Sequence, residues 1–237
     1  CGLEEAGMVF DICDCRTQTL VRDGVMVKNQ DVVMDVTGRA LSILKAERTA
    51  LNLIMRMSGI ATETRKFIES IGVYKDSVRI ACTRKTAPGL RFFDKKAVSI
   101  GGGDTHRMAL DDMVLIKDNH LVFSESIEKS IKLARRNTGS SVRVECEATT
   151  LDDVIAAINA GAEIIMLDNF SPPEVIRTIR EITKKGIRNR AKLEISGGIT
   201  LQNVKSYAKS KPDIISIGHL THSPEAVDFS LEMIQKI

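Results

Sequence analysis

The sequence predicts an α/β protein, an irregular barrel of parallel strands that follows a small antiparallel unit. Three observations carry this. From Val78 onward, short apolar runs alternate with helical stretches across short loops, the pattern of parallel strands joined by right-handed crossovers. Each run then closes on a charged residue, a polar residue or glycine, and a barrel of parallel strands builds its active site at that carboxyl end. Before Val78 the style differs. Residues 18–36 alternate in short β-like runs, punctuated as turns by Asp23-Gly24 and Lys28-Asn29-Gln30-Asp31.

Taken in order, residues 2–9 read as the end of a helix that begins before Cys1. Residues 40–71 are helical, with Leu44, Leu51, Ile54, Met55, Ile60 and Ile68 at near 3.6 spacing, and Gly59 is expected to bend or break them. Strands are expected at 78–82, 113–116, 142–147, 163–167, 192–195 and 213–217. Helices are expected at 124–137, 151–160, 173–185 and 201–210. Their starts are signed by Thr150 before Asp152-Asp153, by Ser171-Pro172-Pro173-Glu174 and by Thr200. Six strands are fewer than the usual eight of such barrels, so the barrel is irregular or two strands are hidden.

With 237 residues, 43% of them hydrophobic, the chain can bury a full core as one domain or two. A net charge of +3 gives no general field for nucleic acid, and 4% aromatics without Trp offer few stacking platforms. No apolar run reaches a membrane span and no signal peptide is visible. The five cysteines are scattered, and Cys13-x-Cys15 lacks a second pair for zinc. They read as reduced thiols of a cytoplasmic protein, with Cys82 and Cys146 as small core residues.

The chemistry gathers between residues 84 and 120. Arg84-Lys85 follows the first strand, Lys117 follows the second, and Gly101-Gly102-Gly103 precedes His106-Arg107. Arg suits bidentate recognition of carboxylate or phosphate, so these cations suit a ligand with several negative groups. Glu145 and Glu147 alternate along the third strand and point to one side. Glu147 and Asp168 suit Mg²⁺, or a cationic sugar ring. Ser196-Gly197-Gly198 and Gly218-His219 let backbone N–H groups approach a phosphate. Taken alone, Arg84-Lys85 reads first as a solvated strand end and Ser196-Gly197-Gly198 as a plain turn, Glu147 or Asp168 reads equally as a salt-bridge partner, and His120 can serve as a cap of the turn at Asn119. Their coincidence on one face implies a phosphorylated sugar, a divalent cation and a second anionic substrate.

At these residues the sequence resembles the quinolinate phosphoribosyltransferase family. The resemblance rests on Glu47-Arg48-Thr49-Ala50-Leu51-Asn52, Ser58-Gly59-Ile60-Ala61-Thr62, Thr83-Arg84-Lys85-Thr86-Ala87-Pro88-Gly89-Leu90-Arg91 and Gly101-Gly102-Gly103 with His106-Arg107. It continues through Leu115-Ile116-Lys117-Asp118-Asn119-His120, Met166-Leu167-Asp168-Asn169, Ser196-Gly197-Gly198-Ile199 and Gly218-His219-Leu220-Thr221-His222-Ser223. These run in the family's order.

The resemblance implies transfer of phosphoribose from phosphoribosyl pyrophosphate to quinolinate, with decarboxylation, in NAD biosynthesis. It implies that Arg84, His106, Arg107 and Lys117 hold the quinolinate carboxylates, with Arg48 reaching in from the partner of a homodimer. Lys85, Glu147 and Asp168 are then catalytic. Lys85 lies between the two substrates, and Glu147 and Asp168 face the ribose and Mg²⁺. Ser196, Gly197, Gly198, Gly218, His219 and His222 cradle the 5-phosphate. The small α/β sandwich domain is expected over residues 1–51, with a C-terminal helix in residues 224–237 packed on it, and the barrel over 52–223. Family members usually carry a longer N-terminal region, so the sandwich is expected to be incomplete. His219 stands where a small residue is expected. Some relatives assemble further into hexamers. The rival readings are a nicotinate-specific transferase, a molybdenum-operon paralogue, a Schiff-base aldolase using Lys117, and a phosphometabolite-binding module.

Overall fold

A computed structural model of the chain describes residues 1–139 and 141–234. The chain runs α1 (Leu3–Ile12), β1 (Arg16–Thr19), β2 (Met34–Thr37), α2 (Ala40–Ser70), β3 (Arg79–Ala81), α3 (Arg91–Ile100), β4 (Met113–Ile116), α4 (Asp118–Leu121) and α5 (Ile127–Thr138). It continues as β5 (Arg143–Ala148), α6 (Leu151–Ala160), β6 (Ile164–Asp168), α7 (Pro172–Lys184), β7 (Lys192–Ser196), α8 (Val204–Ala208), β8 (Ile214–Ser216) and α9 (His219–His222). Two compact units result. One comprises Cys1–Arg65, Lys85–Gly103 and the segment from His219; the other comprises Lys66–Arg84 and Asp104–Gly218. Residue 51, where the sequence suggested a domain boundary, lies inside α2.

In the first unit, α1 starts at Leu3, not before Cys1. Gly2 precedes it at φ 96, and the backbone N–H groups of Gly2 and Leu3 donate to the Asp23 carboxylate at 3.0 and 3.2 Å. That carboxylate satisfies donors a helix start leaves open. Leu3, Ala6 and Phe10 then pack with Ile43, Ala46, Ala50 and Ile54 of α2. β1 and β2 pair antiparallel, Arg16 opposite Thr37. Gly59 does not break α2. A side chain there would place its Cβ 2.0 Å from the Glu225 carbonyl oxygen, so glycine admits the C-terminal segment. That segment packs as expected but not as a helix: residues 224–234 form none. The Val227 N–H donates to the Met55 carbonyl at 3.1 Å, and Phe229 and Leu231 join the α1–α2 cluster. α3 was not expected. It buries Asp94, Lys95, Ala97 and Val98, and its two buried charged residues hide the apolar stripe.

In the second unit six parallel strands form one sheet in the order β3-β8-β7-β6-β5-β4. This is the neighbour order of a barrel cut at one seam. No ladder joins β3 to β4 among the described residues, so the expected irregular barrel is not closed. Asp104 partly lines the seam: its N–H donates to the Ile80 carbonyl at 2.8 Å and its carbonyl accepts from Cys82 at 3.1 Å. Six of the expected strands form, within a residue or two of expectation. Thr150 and Ser171 cap α6 and α7 in capping boxes. Ser126, not a residue near 124, caps α5, and α8 begins only at Val204 after Asn203.

Register sets the site. Glu147 lies opposite Met166, Met166 opposite Glu194, and Glu194 opposite Ile214. Asp168 lies opposite Ser196, and Glu145 opposite Leu115. Side chains alternate faces along a strand and matched residues share one. One face therefore carries Glu145, Glu147, Asp168, Glu194 and Ser196. The other carries the fully buried Val144, Ile165, Leu167, Leu193 and Ile195.

Candidate active site

The carboxyl end of the sheet gathers cations at its two edge strands. Arg84 follows β3, and its buried Nε has no hydrogen-bond partner among the described residues. Arg107 lies in the segment before β4, where its Nη1 donates to the Met113 carbonyl at 3.1 Å. Burial pulls the Arg107 guanidinium below its usual pKa, and the like charge of Arg84 adds to the effect. Two guanidinium groups close enough to repel, one with a buried unpaired N–H, form a site that an anion relieves. Lys117 ends β4, about half exposed at 47%, with Nζ 3.4 Å from the Glu147 carboxylate.

His106 sits among acids. Its Nε2 lies 2.7 Å from Glu194 Oε2 and 3.8 Å from Glu145 Oε2, and both glutamate side chains are wholly buried. Its backbone is left-handed, at φ 52, and is held by its own N–H donating to Asp104 Oδ1 at 2.7 Å. Burial disfavours a charged ring. The hydrogen bond and charge of Glu194, with Glu145 and Asp104, outweigh that and hold its pKa above the ordinary value. Burial first, and then the charge of Glu194, raise the Glu145 carboxyl to about 8. The ligand atoms of His106, Glu145 and Glu194 lie within 4.8 Å of one another, as a metal site requires. The raised pKa of the ring favours its protonated form, whose charge would then lie between the two carboxylates. Glu194 was missed by sequence reading. Its signal was the alternation of Glu194 and Ser196 with the apolar Leu193 and Ile195.

Glu147 and Asp168 end β5 and β6. Burial raises the Glu147 carboxyl, and the charge of Asp168 adds to this while Lys117 opposes it. The Asn169 side-chain amide donates to Asp168 Oδ2 at 2.6 Å, with Asn169 itself at φ 57. After β7, Gly197 turns at φ 94. A Cβ there would meet Asn169 Oδ1 at 2.2 Å, so this turn admits only glycine. Gly198 follows at φ 61, its carbonyl accepting from the Asn203 amide at 2.9 Å. His120 caps its own turn: its Nδ1 accepts from the Lys117 N–H at 2.9 Å.

The expected site residues thus divide between the units. Arg84, His106, Arg107, Lys117, Glu147, Asp168, Ser196, Gly197, Gly198 and Gly218 belong to the sheet unit. Arg48, Lys85, His219 and His222 belong to the other. There Arg48 is exposed on α2. Lys85 is also exposed, and its carbonyl accepts from the Thr221 hydroxyl at 2.8 Å. The rings of His219 and His222 meet edge to face at 6.0 Å.

Fold and site together define an α/β enzyme for small, multiply anionic substrates. The family model described as quinolinate phosphoribosyl transferase, N-terminal domain, matches residues 1–58, and that of the C-terminal domain matches residues 60–232. The chain belongs to the quinolinate phosphoribosyl transferase family. It is 42% identical to a probable nicotinate-nucleotide pyrophosphorylase [carboxylating] of Archaeoglobus fulgidus, over 99% of this chain and 90% of that protein. A crystal structure of a NadC deletion mutant matches with TM-score 0.94 at 35% identity, covering 100% of this chain and 82% of that one. NadC from Streptococcus pyogenes matches with TM-score 0.91 at 35% identity, over 98% and 81%.

Proposed function

We propose that this enzyme transfers phosphoribose from phosphoribosyl pyrophosphate to quinolinate, forming nicotinate mononucleotide, pyrophosphate and CO₂ in NAD biosynthesis. The observation that carries this reading is the buried Arg84 Nε, unpartnered among the described residues, beside Arg107, with the His106 ring against Glu194 and Glu145 and with Lys117 directly after β4. A dianion with two carboxylates suits this concentration of cations better than a monocarboxylate such as nicotinate.

Arg84, His106, Arg107 and Lys117 orient the diacid so that its ring nitrogen faces the ribose C1. Arg48 adds a contact from the second subunit of a homodimer. The C1–pyrophosphate bond breaks as the nitrogen attacks, and positive charge develops on the ribose. Glu147 and Asp168 stabilise that charge and Lys85 the departing oxygens. The C2 carboxylate then leaves as CO₂; the electron pair of the broken C–C bond stays on C2, stabilised by the adjacent cationic nitrogen, and takes up a proton from solvent to give the C2–H of the product. Glu147 and Asp168, two oxygen donors at neighbouring strand ends, fit Mg²⁺. Bound there, Mg²⁺ neutralises pyrophosphate charge. Ser196, Gly197, Gly198, Gly218, His219 and His222 receive the 5-phosphate. Lys117 is ion-paired and half-exposed, unlike the apolar surroundings a Schiff-base lysine needs, which disfavours the aldolase reading. No helix among the described residues is long and apolar enough to cross a membrane.

The test pairs two assays with phosphoribosyl pyrophosphate and Mg²⁺, one with quinolinate and one with nicotinate. Nicotinate mononucleotide and equimolar CO₂ from quinolinate alone are expected. Turnover of nicotinate alone overturns the substrate assignment.

A further inference from the structure

Arg56 of α2 and Asp94 of α3 form a bidentate pair, Nε to Oδ1 at 2.7 Å and Nη2 to Oδ2 at 2.8 Å. Asp94 is wholly buried and Arg56 is 25% exposed. Both partners bond further. Asp94 Oδ2 accepts from the backbone N–H of Ala87 at 3.2 Å, two residues beyond Lys85. Arg56 Nη2 donates to the Thr221 carbonyl at 3.0 Å, within α9. The buried Thr221 hydroxyl donates in turn to the carbonyl of Lys85 at 2.8 Å. A single ion pair is therefore tied to two otherwise separate segments, 85–87 and 219–222.

Burying an ion pair carries a desolvation penalty that its attraction only repays in good geometry, and a well-packed apolar pair often serves stability as well. The extra bonds here go to backbone, so they fix where main chain lies. Both segments carry groups assigned above to one substrate, Lys85 to its pyrophosphate and His219 with His222 to its 5-phosphate. We infer that Arg56 and Asp94 are positioning residues for phosphoribosyl pyrophosphate, setting the spacing between the lysine and the phosphate loop that grip its two ends. This rests on the proposed reaction. In this reading the pair acts through the two segments it is bonded to.

Two variants separate positioning from bulk stability. Thr221→Val keeps shape and removes the hydroxyl bond to Lys85. Arg56→Lys keeps charge but cannot span the carboxylate and the Thr221 carbonyl together. For each, KM and kcat are measured for both substrates, with quinolinate and Mg²⁺–phosphoribosyl pyrophosphate binding by calorimetry and with melting temperature. Thr221→Val is expected to lose about 3- to 10-fold in kcat/KM for phosphoribosyl pyrophosphate, the range of one hydrogen bond. Arg56→Lys is expected to lose more, on the order of 100-fold. Quinolinate binding is expected to stay within about twofold, since His106, Arg107 and Lys117 belong to other segments and only Arg84 adjoins Lys85. Unchanged phosphoribosyl pyrophosphate parameters in both variants, or a parallel fall in quinolinate affinity, overturn the inference. If Arg56→Lys does not fold, Thr221→Val alone decides it. A wild-type enzyme that binds phosphoribosyl pyrophosphate without turnover refutes the reaction instead, and calorimetry of Thr221→Val still tests the spacing.

Discussion

Glu194 decides what His106 can offer a substrate. With Nε2 2.7 Å from the buried Glu194 carboxylate, the ring's pKa is held above its ordinary value, which favours the protonated form. The pKa of His106 is raised above 6.5, so this pair's contribution to stability is full below about 6.5 and is lost as pH rises through the raised value. Activity that needs the imidazolium fails in the same window. Glu194→Gln is expected to move the alkaline limb of kcat/KM for quinolinate to lower pH and to weaken quinolinate about tenfold. A limb that does not move in this variant shows that another group sets it. A second prediction concerns Cys146, whose thiol is wholly buried and pushed up to about 12, burial being the main cause. Iodoacetamide at pH 8 is expected to spare it in the folded protein, and mass spectrometry of the alkylated peptides reads this directly. At this scale the cations were legible because each stands where an apolar run stops. Glu194 was not, because it lies within the run.

Among the elements, α2 shows how a residue's intrinsic preference can mislead. Glycine lowers helix propensity by about 1 kcal/mol relative to alanine, so Gly59 read as a break. It is a contact point, where the Glu225 carbonyl would lie 2.0 Å from any Cβ. Gly59→Ala is therefore expected to destabilise the protein by about 1–3 kcal/mol, against the propensity trend; a higher melting temperature in that variant would refute the close approach. The strands were legible from apolar runs of fixed length between capped helices. α3 was not, since Asp94 and Lys95 are buried where a helix usually shows apolar residues. The C-terminal segment was expected as a helix and instead packs Phe229 and Leu231 as irregular chain. Its packing was implied by the family resemblance alone, and its backbone depends on α2, which is remote in sequence.

For the molecule as a whole, the class of fold was legible and its closure was not, because apolar patterning records that a strand is buried but not whether its outer edge finds a neighbour. Assembly is the remaining whole-molecule question. Arg48 is exposed on α2 and is proposed to complete the site of a second copy. Mixing Arg48→Ala with Lys85→Ala, each inactive alone, is then expected to restore about a quarter of wild-type activity, since half of the random dimers carry one intact site. No recovery on mixing would place Arg48 in its own subunit's site or outside any site. The seam has its own consequence. Among the described residues β3 and β4 each have a strand on one side only, with the Asp104 bridge alone on the open side of β3, so their amides are expected to exchange with deuterium sooner than those of β5, β6 and β7. Yet Arg84 and Lys117 extend from those two margins. A diacid held by both would bridge the gap that the backbone leaves open, and quinolinate is expected to slow exchange most in the two strands that are fastest without it.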